Sequence, residues 1–230
     1  MANDDSADDQ LESRLQRVRD DVADACRVAG RDPVEVTTVV VTKFHPVQLV
    51  RQLHALGVRD FGENRHQEAR DKALATGDLE LRWHFVGQLQ SKKARQARAY
   101  ASVIHSVDRP SVVDALASDD AVVDCFVQLN LTDDPLRGGV EDSELERMTE
   151  RVLETAGLNL LGVMAVAPLD GAPRSAFERV RLASERVAAL APKATFISAG
   201  MSADFRDAIL EGATHLRIGT AITGNRPVAG

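Results

Sequence analysis

The 230-residue sequence predicts a single (β/α)8 TIM barrel of the α/β class, with an extra N-terminal helix. Three observations point there. Eight short apolar runs alternate with amphipathic stretches at a period of roughly 25 residues, the alternation expected of parallel strands and crossover helices. The Gly-rich fingerprints that often mark a doubly wound open sheet, GxGxxG and GxxxxGK[ST], are missing. No low-complexity linker divides the chain, so residues 9 to 230 read as one domain behind an acidic tail, residues 1 to 8, that is expected to be disordered.

The elements follow in order. From about Asp9 to Ala29 the residues Leu11, Leu15, Val18, Val22, Ala25 and Cys26 recur at helical spacing, and Gly30 stops the run. This helix precedes every strand and so stands outside the alternation. The first strand, Val36 to Thr42, is a near-continuous β-branched run of the kind that forms buried parallel strands. It ends abruptly in Lys43, and Pro46 is placed to open a helix. The remaining strands are read as Arg59 to Phe61, Arg82 to Val86, Ser102 to Ser106, Ala121 to Asn130, Leu158 to Val163, Ala194 to Ile197 and Thr214 to Ile218. Helical stretches begin near Pro46, Asn64, Leu89, Arg109, Asp142, Pro173 and Ser202. Thr132 to Gly139, with Pro135 and the Gly138-Gly139 pair, reads as a loop after the fifth strand.

Composition narrows the functional classes. Hydrophobic residues make up 44% and charged residues 27%, enough for a sizeable core without staples. The net charge is -7, and Asp4, Asp5, Asp8 and Asp9 carry four of those charges, which argues against a nucleic-acid surface. Cys26 and Cys125 lie in apolar contexts without CxxC spacing, so neither a disulfide framework nor a metal cluster is expected. With no basic-then-apolar leader and no window as long as a membrane span, a cytoplasmic protein is expected. The sequon Asn130-Leu131-Thr132 is then accidental.

A barrel carries its chemistry just after the strands, at their carboxyl ends. Strand one places Lys43 there. A lysine in such surroundings can form a Schiff base with a carbonyl, although taken alone this stretch favours the plainer reading, a lysine that reaches to the rim or binds a carboxylate or phosphate. Strand two is followed by Glu63-Asn64-Arg65, where Glu63 or Asn64 is also a helix-cap candidate, and strand four by Ser106 and Asp108, both cap candidates. On strand three, Trp83 and His84 must face opposite ways, and a lone inward histidine is usually a satisfied core residue. Gln128 and Asn130 share a face of strand five by the same alternation. The turns Ser198-Ala199-Gly200-Met201-Ser202 and Arg217-Ile218-Gly219-Thr220-Ala221 are small and hydroxyl-bearing, and their amides could hold a phosphate. Phosphate sites of barrel enzymes are frequently built after strands seven and eight. A phosphate cup opposite a strand-one lysine points to a phosphorylated carbonyl cofactor, a description that pyridoxal phosphate meets.

The strings VVVTKFHP, FGENRHQEA, WHFVGQLQSKKAR, IHSVDR, LLGVMAVAP, SAGMSADFRDAILEGAT and RIGTAITG resemble, in order and spacing, the YggS/PROSC family of pyridoxal-phosphate-binding proteins, also called PLP homeostasis proteins. The resemblance spans nearly the whole chain. It implies a barrel similar to the N-terminal domain of alanine racemase, without that enzyme's second domain. It also implies pyridoxal 5'-phosphate carried on Lys43 as an internal aldimine, with Met201, Ser202, Arg217, Gly219 and Thr220 in the phosphate-binding segments and Asn64 and His84 lining the pocket. No metal and no catalytic residue are implied. The expected role is vitamin B6 and amino-acid homeostasis without robust catalysis, PLP-dependent enzymes being the clients. Neither nucleic acid nor membrane is a partner, and a monomer is expected. The alternatives are a PLP-dependent amino-acid racemase using Lys43 and His84, and a barrel for another phosphorylated metabolite. A racemase needs a second acid/base, and the only tyrosine, Tyr100, falls in a helical stretch rather than at a strand end. The chain departs from relatives that read SKTKP at Thr42-Lys43-Phe44-His45-Pro46, and from LQSNK at Leu89-Gln90-Ser91-Lys92-Lys93. Thr223 stands where phenylalanine is common.

Overall fold

A computed structural model describes residues 5 to 132 and 137 to 226, without the side chains of 5 to 8. Eight parallel strands close into a barrel in sequence order, β1 (Thr37–Val41), β2 (Asp60–Glu63), β3 (Arg82–Phe85), β4 (Val103–Val107), β5 (Val123–Gln128), β6 (Leu158–Met164), β7 (Phe196–Ser198) and β8 (His215–Ile218). Helices α1 (Asp5–Val28), α2 (Val47–Ala55), α3 (His66–Ala75), α4 (Ser91–Arg98), α5 (Pro110–Leu116), α6 (Leu145–Glu154), α7 (Pro173–Leu190), α8 (Phe205–Leu210) and α9 (Thr220–Thr223) surround it. The (β/α)8 reading and all eight strands are therefore present, with ends moved by a few residues. Part of the predicted tail (1 to 4) and of the loop after β5 (133 to 136) lies outside the described residues.

The helix that stood outside the alternation has a structural reason. The helix following β8 has only four residues, too few to cover the seam between β8 and β1. Helix α1 takes that seat, burying Leu11, Leu15, Val18 and Val22, each worth on the order of 2 kcal/mol when removed from water. Arg14 Nε bonds the Ile222 carbonyl at 2.8 Å and Arg31 Nη1 the Ala213 carbonyl at 2.7 Å, which tie the two chain ends of the barrel together. One glycine is required by the sheet: Gly162 sits at φ 150° where the β5–β6 register shifts, and a Cβ there would lie 1.9 Å from the Phe196 oxygen.

Surface ion pairs fasten the helices more loosely. Arg186 on α7 donates to Asp142 Oδ1 at 2.8 Å and to Glu146 Oε1 at 2.6 Å on the segment leading into α6. Arg186→Ala is expected to lower stability by about 0.5–1 kcal/mol, and less in about 1 M salt, as read from denaturation midpoints. A loss independent of salt would assign the effect to the arginine's methylenes instead. Cys26 and Cys125 are both buried and free. Among the described residues no helix is long and apolar enough to cross a membrane.

Candidate functional site

Lys43 inherits its direction from the strand before it. A Cβ on Gly62 would meet Val39 Cγ1 and Val41 Cγ2 at 3.1 Å and Val86 Cγ1 at 3.6 Å, so these residues share the barrel interior. Two residues further on, in the turn just past the strand's carboxyl end, Lys43 is exposed. Its neighbours in the chain are pinned from outside. Thr42 N–H donates to the Gly62 carbonyl at 3.1 Å, and the Thr42 carbonyl accepts Lys72 Nζ at 2.8 Å. Phe44 N–H donates to Glu68 Oε2 at 2.9 Å. Phe44 itself is at φ 67°, a left-handed conformation uncommon for a bulky residue, with the guanidiniums of Arg65 and Arg226 at 4.7 and 4.3 Å from its ring centroid.

Behind this turn lies a buried ion pair. Glu63 Oε1 accepts Lys72 Nζ at 2.5 Å and Thr42 Oγ1 at 2.7 Å, and both ionisable groups are buried. Burial pushes the Glu63 carboxyl above the usual range, outweighing the pull of Lys72 and the Thr42 hydroxyl. Glu63 therefore does not cap α3, contrary to one reading of the sequence. The cap position is Arg65, which makes no capping side-chain bond. Likewise Ser106 and Asp108 do not cap α5: Arg109 occupies the cap position and ion-pairs with Asp108 at 2.5 Å.

Across the mouth, the two small-residue turns meet. Gly200, at φ 91°, admits the close approach of Ala208 and Phe205, where a Cβ would come within 2.9 Å. Ala221 N–H donates to Ser202 Oγ at 3.3 Å, which joins the β7 turn to the β8 turn. Met201 and Thr220 are exposed, while Ser202 and Gly219 are half-buried. At the start of α9 the Ile222 and Thr223 N–H groups bond back to the Gly219 carbonyl, both at 2.9 Å. Beneath them Arg217 is buried, with Nη1 on Ser198 Oγ at 2.6 Å and Nη2 on the Ala165 carbonyl at 2.8 Å. No carboxylate forms an ion pair with it among the described residues, and burial lowers it to about 10.

Asn64 is half-buried at the rim, and its Oδ1 has no partner. His84 is placed differently. It points inward while Trp83 packs outward on Phe61, as the alternation required. It lies deep, bonded through Nε2 to Asp60 Oδ1 and through Nδ1 to His105 Nε2, both at 2.9 Å. His84 is not a lone inward histidine: His105 and His215 stand beside it, with ring centroids at 5.1 and 6.3 Å. Burial lowers all three imidazoles, His215 to about 4. The sequence marks Ser198 only as the first residue of the β7 turn and does not mark Asp60, His105 or His215 as site residues, although strand alternation from His84 places them inside once the register is known. Gln128 donates to the Gly138 carbonyl at 2.8 Å, and the Asn130 side chain accepts the Thr132 N–H at 2.9 Å, so both amides help build the loop after β5. No group of three potential metal ligands occurs among the described residues.

Residues 13 to 227 match the family model described as alanine racemase, N-terminal domain. The chain is 39% identical over 211 residues to a pyridoxal phosphate homeostasis protein of Corynebacterium glutamicum, covering 87% of this chain and 95% of that one. It is 37% identical to the protein of the same description from Mycobacterium tuberculosis, covering 94% and 93% of the two chains. A structure of PipY from Synechococcus elongatus with PLP bound superposes with a TM-score of 0.81 at 31% identity, covering 94% of this chain and all 100% of PipY. Alanine racemase from Corynebacterium glutamicum shares the fold, with a TM-score of 0.68 at 18% identity over 62% of the racemase.

Proposed function

The chain belongs to the family of pyridoxal phosphate homeostasis proteins, and from that premise we propose that it binds pyridoxal 5'-phosphate at the barrel mouth, as a Schiff base on Lys43. The observation that carries this reading is the juxtaposition at the carboxyl ends of the strands. An exposed amine in the turn just past β1 shares the mouth with two joined small-residue turns and a buried guanidinium that forms no ion pair among the described residues. The donor set suits a phosphorylated aldehyde. Lys43 supplies the amine. Ser202 and Thr220 would offer hydroxyls and Gly219 its backbone to the phosphate, Met201, whose own N–H is held by Asp204 Oδ1 at 2.6 Å, would line it, and Arg217 would add positive charge. Asn64 offers an unpaired Oδ1 at the rim, and His84 supports the pocket from below. When bound, the cofactor contributes an aldehyde that condenses with amines and a ring that withdraws electrons from them.

The role we assign is intracellular, in vitamin B6 and amino-acid homeostasis, with the chain acting as a monomer that exchanges cofactor with PLP-dependent enzymes and lacks robust catalysis. Two features support the last point. Both ring nitrogens of His84 are already engaged, so it is poorly placed to move a substrate proton opposite Lys43. The Tyr100 hydroxyl is taken by His66 Nδ1 at 3.2 Å, and burial pushes its pKa up.

Titration of the protein with pyridoxal 5'-phosphate tests the reading. The wild type is expected to acquire a Schiff-base absorbance band, and borohydride reduction should fix one cofactor mass on Lys43. Lys43→Ala should give neither. Identical spectra for the two proteins would overturn the assignment. Solvent deuterium appearing at Cα of an amino acid, and lost in Lys43→Ala, would replace the carrier role by that of a racemase.

A further inference from the structure

The interior polar groups form one continuous chain across the barrel. Arg217 Nη1 lies 2.6 Å from Ser198 Oγ, Ser198 Oγ 2.8 Å from His105 Nδ1, His105 Nε2 2.9 Å from His84 Nδ1, and His84 Nε2 2.9 Å from Asp60 Oδ1. Arg217 is buried near the carboxyl end of β8, whereas Asp60 is the first residue of β2, at the opposite end of the barrel from Lys43. We propose that this chain is a one-way hydrogen-bond relay through which Asp60 orients Arg217, making Asp60, His84 and His105 positioning residues for the anion-binding mouth. The inference rests on the reading of that mouth as the pyridoxal phosphate site.

The direction follows from donor counting. An ionised carboxylate only accepts, so His84 carries its proton on Nε2 and presents a bare Nδ1. His105 must then donate from Nε2, which leaves its Nδ1 bare. The Ser198 hydroxyl donates to that nitrogen and accepts from Arg217, which only donates. Every donor points toward Asp60, and no group in the chain lacks a partner. The opposite polarity fails at Asp60: His84 would donate from Nδ1 to His105 and present a bare Nε2 to a carboxylate that cannot donate.

The surroundings favour the neutral imidazoles that the chain requires. The charged and titratable groups facing it are Arg82 on β3, Asp124 on β5, His215 beside Arg217 on β8, and Asp204 in the turn after β7, whose charge acts on Arg217. Arg82 stands 3.7 Å from Asp60 and 3.9 Å from Asp124. The Asp60 carboxyl is worked upward by its burial. The hydrogen bond from His84 and the positive charge of Arg82 oppose this, and the carboxyl is held below the usual range. A negative Asp60 at one end and a positive Arg217 at the other align the intervening dipoles, so each bond strengthens the next. Ser198 and the Ala165 carbonyl then fix the guanidinium in place, while the Asp204 carboxylate, whose charge also acts on Arg217, is occupied by the Met201 N–H at 2.6 Å.

Nitrogen-15 NMR of histidine-labelled, cofactor-free protein reads the relay directly. For His84 and His105 the expected result is a protonated Nε2 and a bare Nδ1 near neutral pH. Protonated Nδ1 in either ring would overturn the proposal. In Asp60→Asn the fixed polarity is lost, so both rings should show mixed tautomers and pyridoxal 5'-phosphate affinity should fall by about tenfold. Asp60→Glu, which keeps the carboxylate, should restore both readouts toward wild type. Unchanged tautomers and affinity in a folded Asp60→Asn protein would also overturn the relay. The two readings separate cleanly. A wild type without a Schiff-base band but with the expected tautomers would sink the Lys43 assignment and keep the relay. A normal band over the wrong tautomers would do the reverse.

Discussion

Lys72→Met is expected to destabilise the protein by about 3 to 5 kcal/mol at neutral pH, the range for removing one partner of a buried ion pair. The substitution leaves Glu63 fully buried, with Thr42 Oγ1 as its remaining donor and Oε2 without a partner. The Glu63 carboxyl is already pushed upward by burial, and without the ammonium it moves further in that direction. A carboxyl whose pKa is raised on folding contributes stability below its unfolded value and loses it as pH rises. The cost of Lys72→Met should therefore grow from near pH 5 to pH 8, as read from urea midpoints. Adding Glu63→Gln removes the stranded charge while keeping an acceptor for Thr42, and should recover most of the loss and flatten its pH dependence. The part not recovered belongs to the Thr42 carbonyl, which loses Lys72 as donor. Because that carbonyl belongs to the peptide unit leading into Lys43, the double variant should still retain pyridoxal phosphate less well than wild type. A single variant as stable as wild type at pH 8 would mean that water already supports Glu63.

How much of this was legible beforehand differs by feature, for physical reasons. The strands were readable because buried parallel strands need β-branched runs, and a lysine at the end of such a run is conspicuous. Lys43 and the turns at Ser198 to Ser202 and Arg217 to Thr220 followed from position alone once eight strands were counted. The Glu63–Lys72 pair was not readable: the two residues join a strand end to the second turn of α3, and only the packing of that helix makes them neighbours. Lys72 looks in sequence like any solvated helix lysine. Asp60 was assigned to a strand, but which way it faces depends on register, and a shift of one residue reverses every side chain. The interior bonding of His84 is a three-dimensional property of β2, β3 and β4 together, so the sequence could supply its direction but not its partners. The seat taken by α1 became clear only when the helix after β8 proved too short to cover the barrel.

Acidification between about pH 6.5 and pH 4 is expected to cost more stability than any surface substitution. His84, His105 and His215 sit with ring centroids 5.1 to 6.3 Å apart inside the barrel. Burial lowers each of them, and for His215 the charges of His84 and Arg82 add to it, bringing it to about 4. A histidine whose pKa is lowered on folding contributes stability above its unfolded value, near 6.5, and loses it as pH falls, because the unfolded chain takes up the proton first. For His215 alone the loss is on the order of 3 kcal/mol by pH 4. Glu63 and Asp108, pushed upward by burial, gain stability as pH falls and offset part of this. Asp60, held below the usual carboxylate range, stays ionised through the window, so the relay's anchor outlasts its imidazoles. Thermal midpoints should therefore drop steadily between about pH 7 and pH 4.5, and His215→Gln should shrink the drop. Cofactor retention should weaken over the same interval, since a doubly protonated His84 or His105 can no longer accept the proton of its neighbour and Arg217 loses its fixed partner. A midpoint that stays level to pH 4.5 would mean that the three histidines are charged in the native barrel, and with them both the acid transition and the polarity of the relay would have to be abandoned.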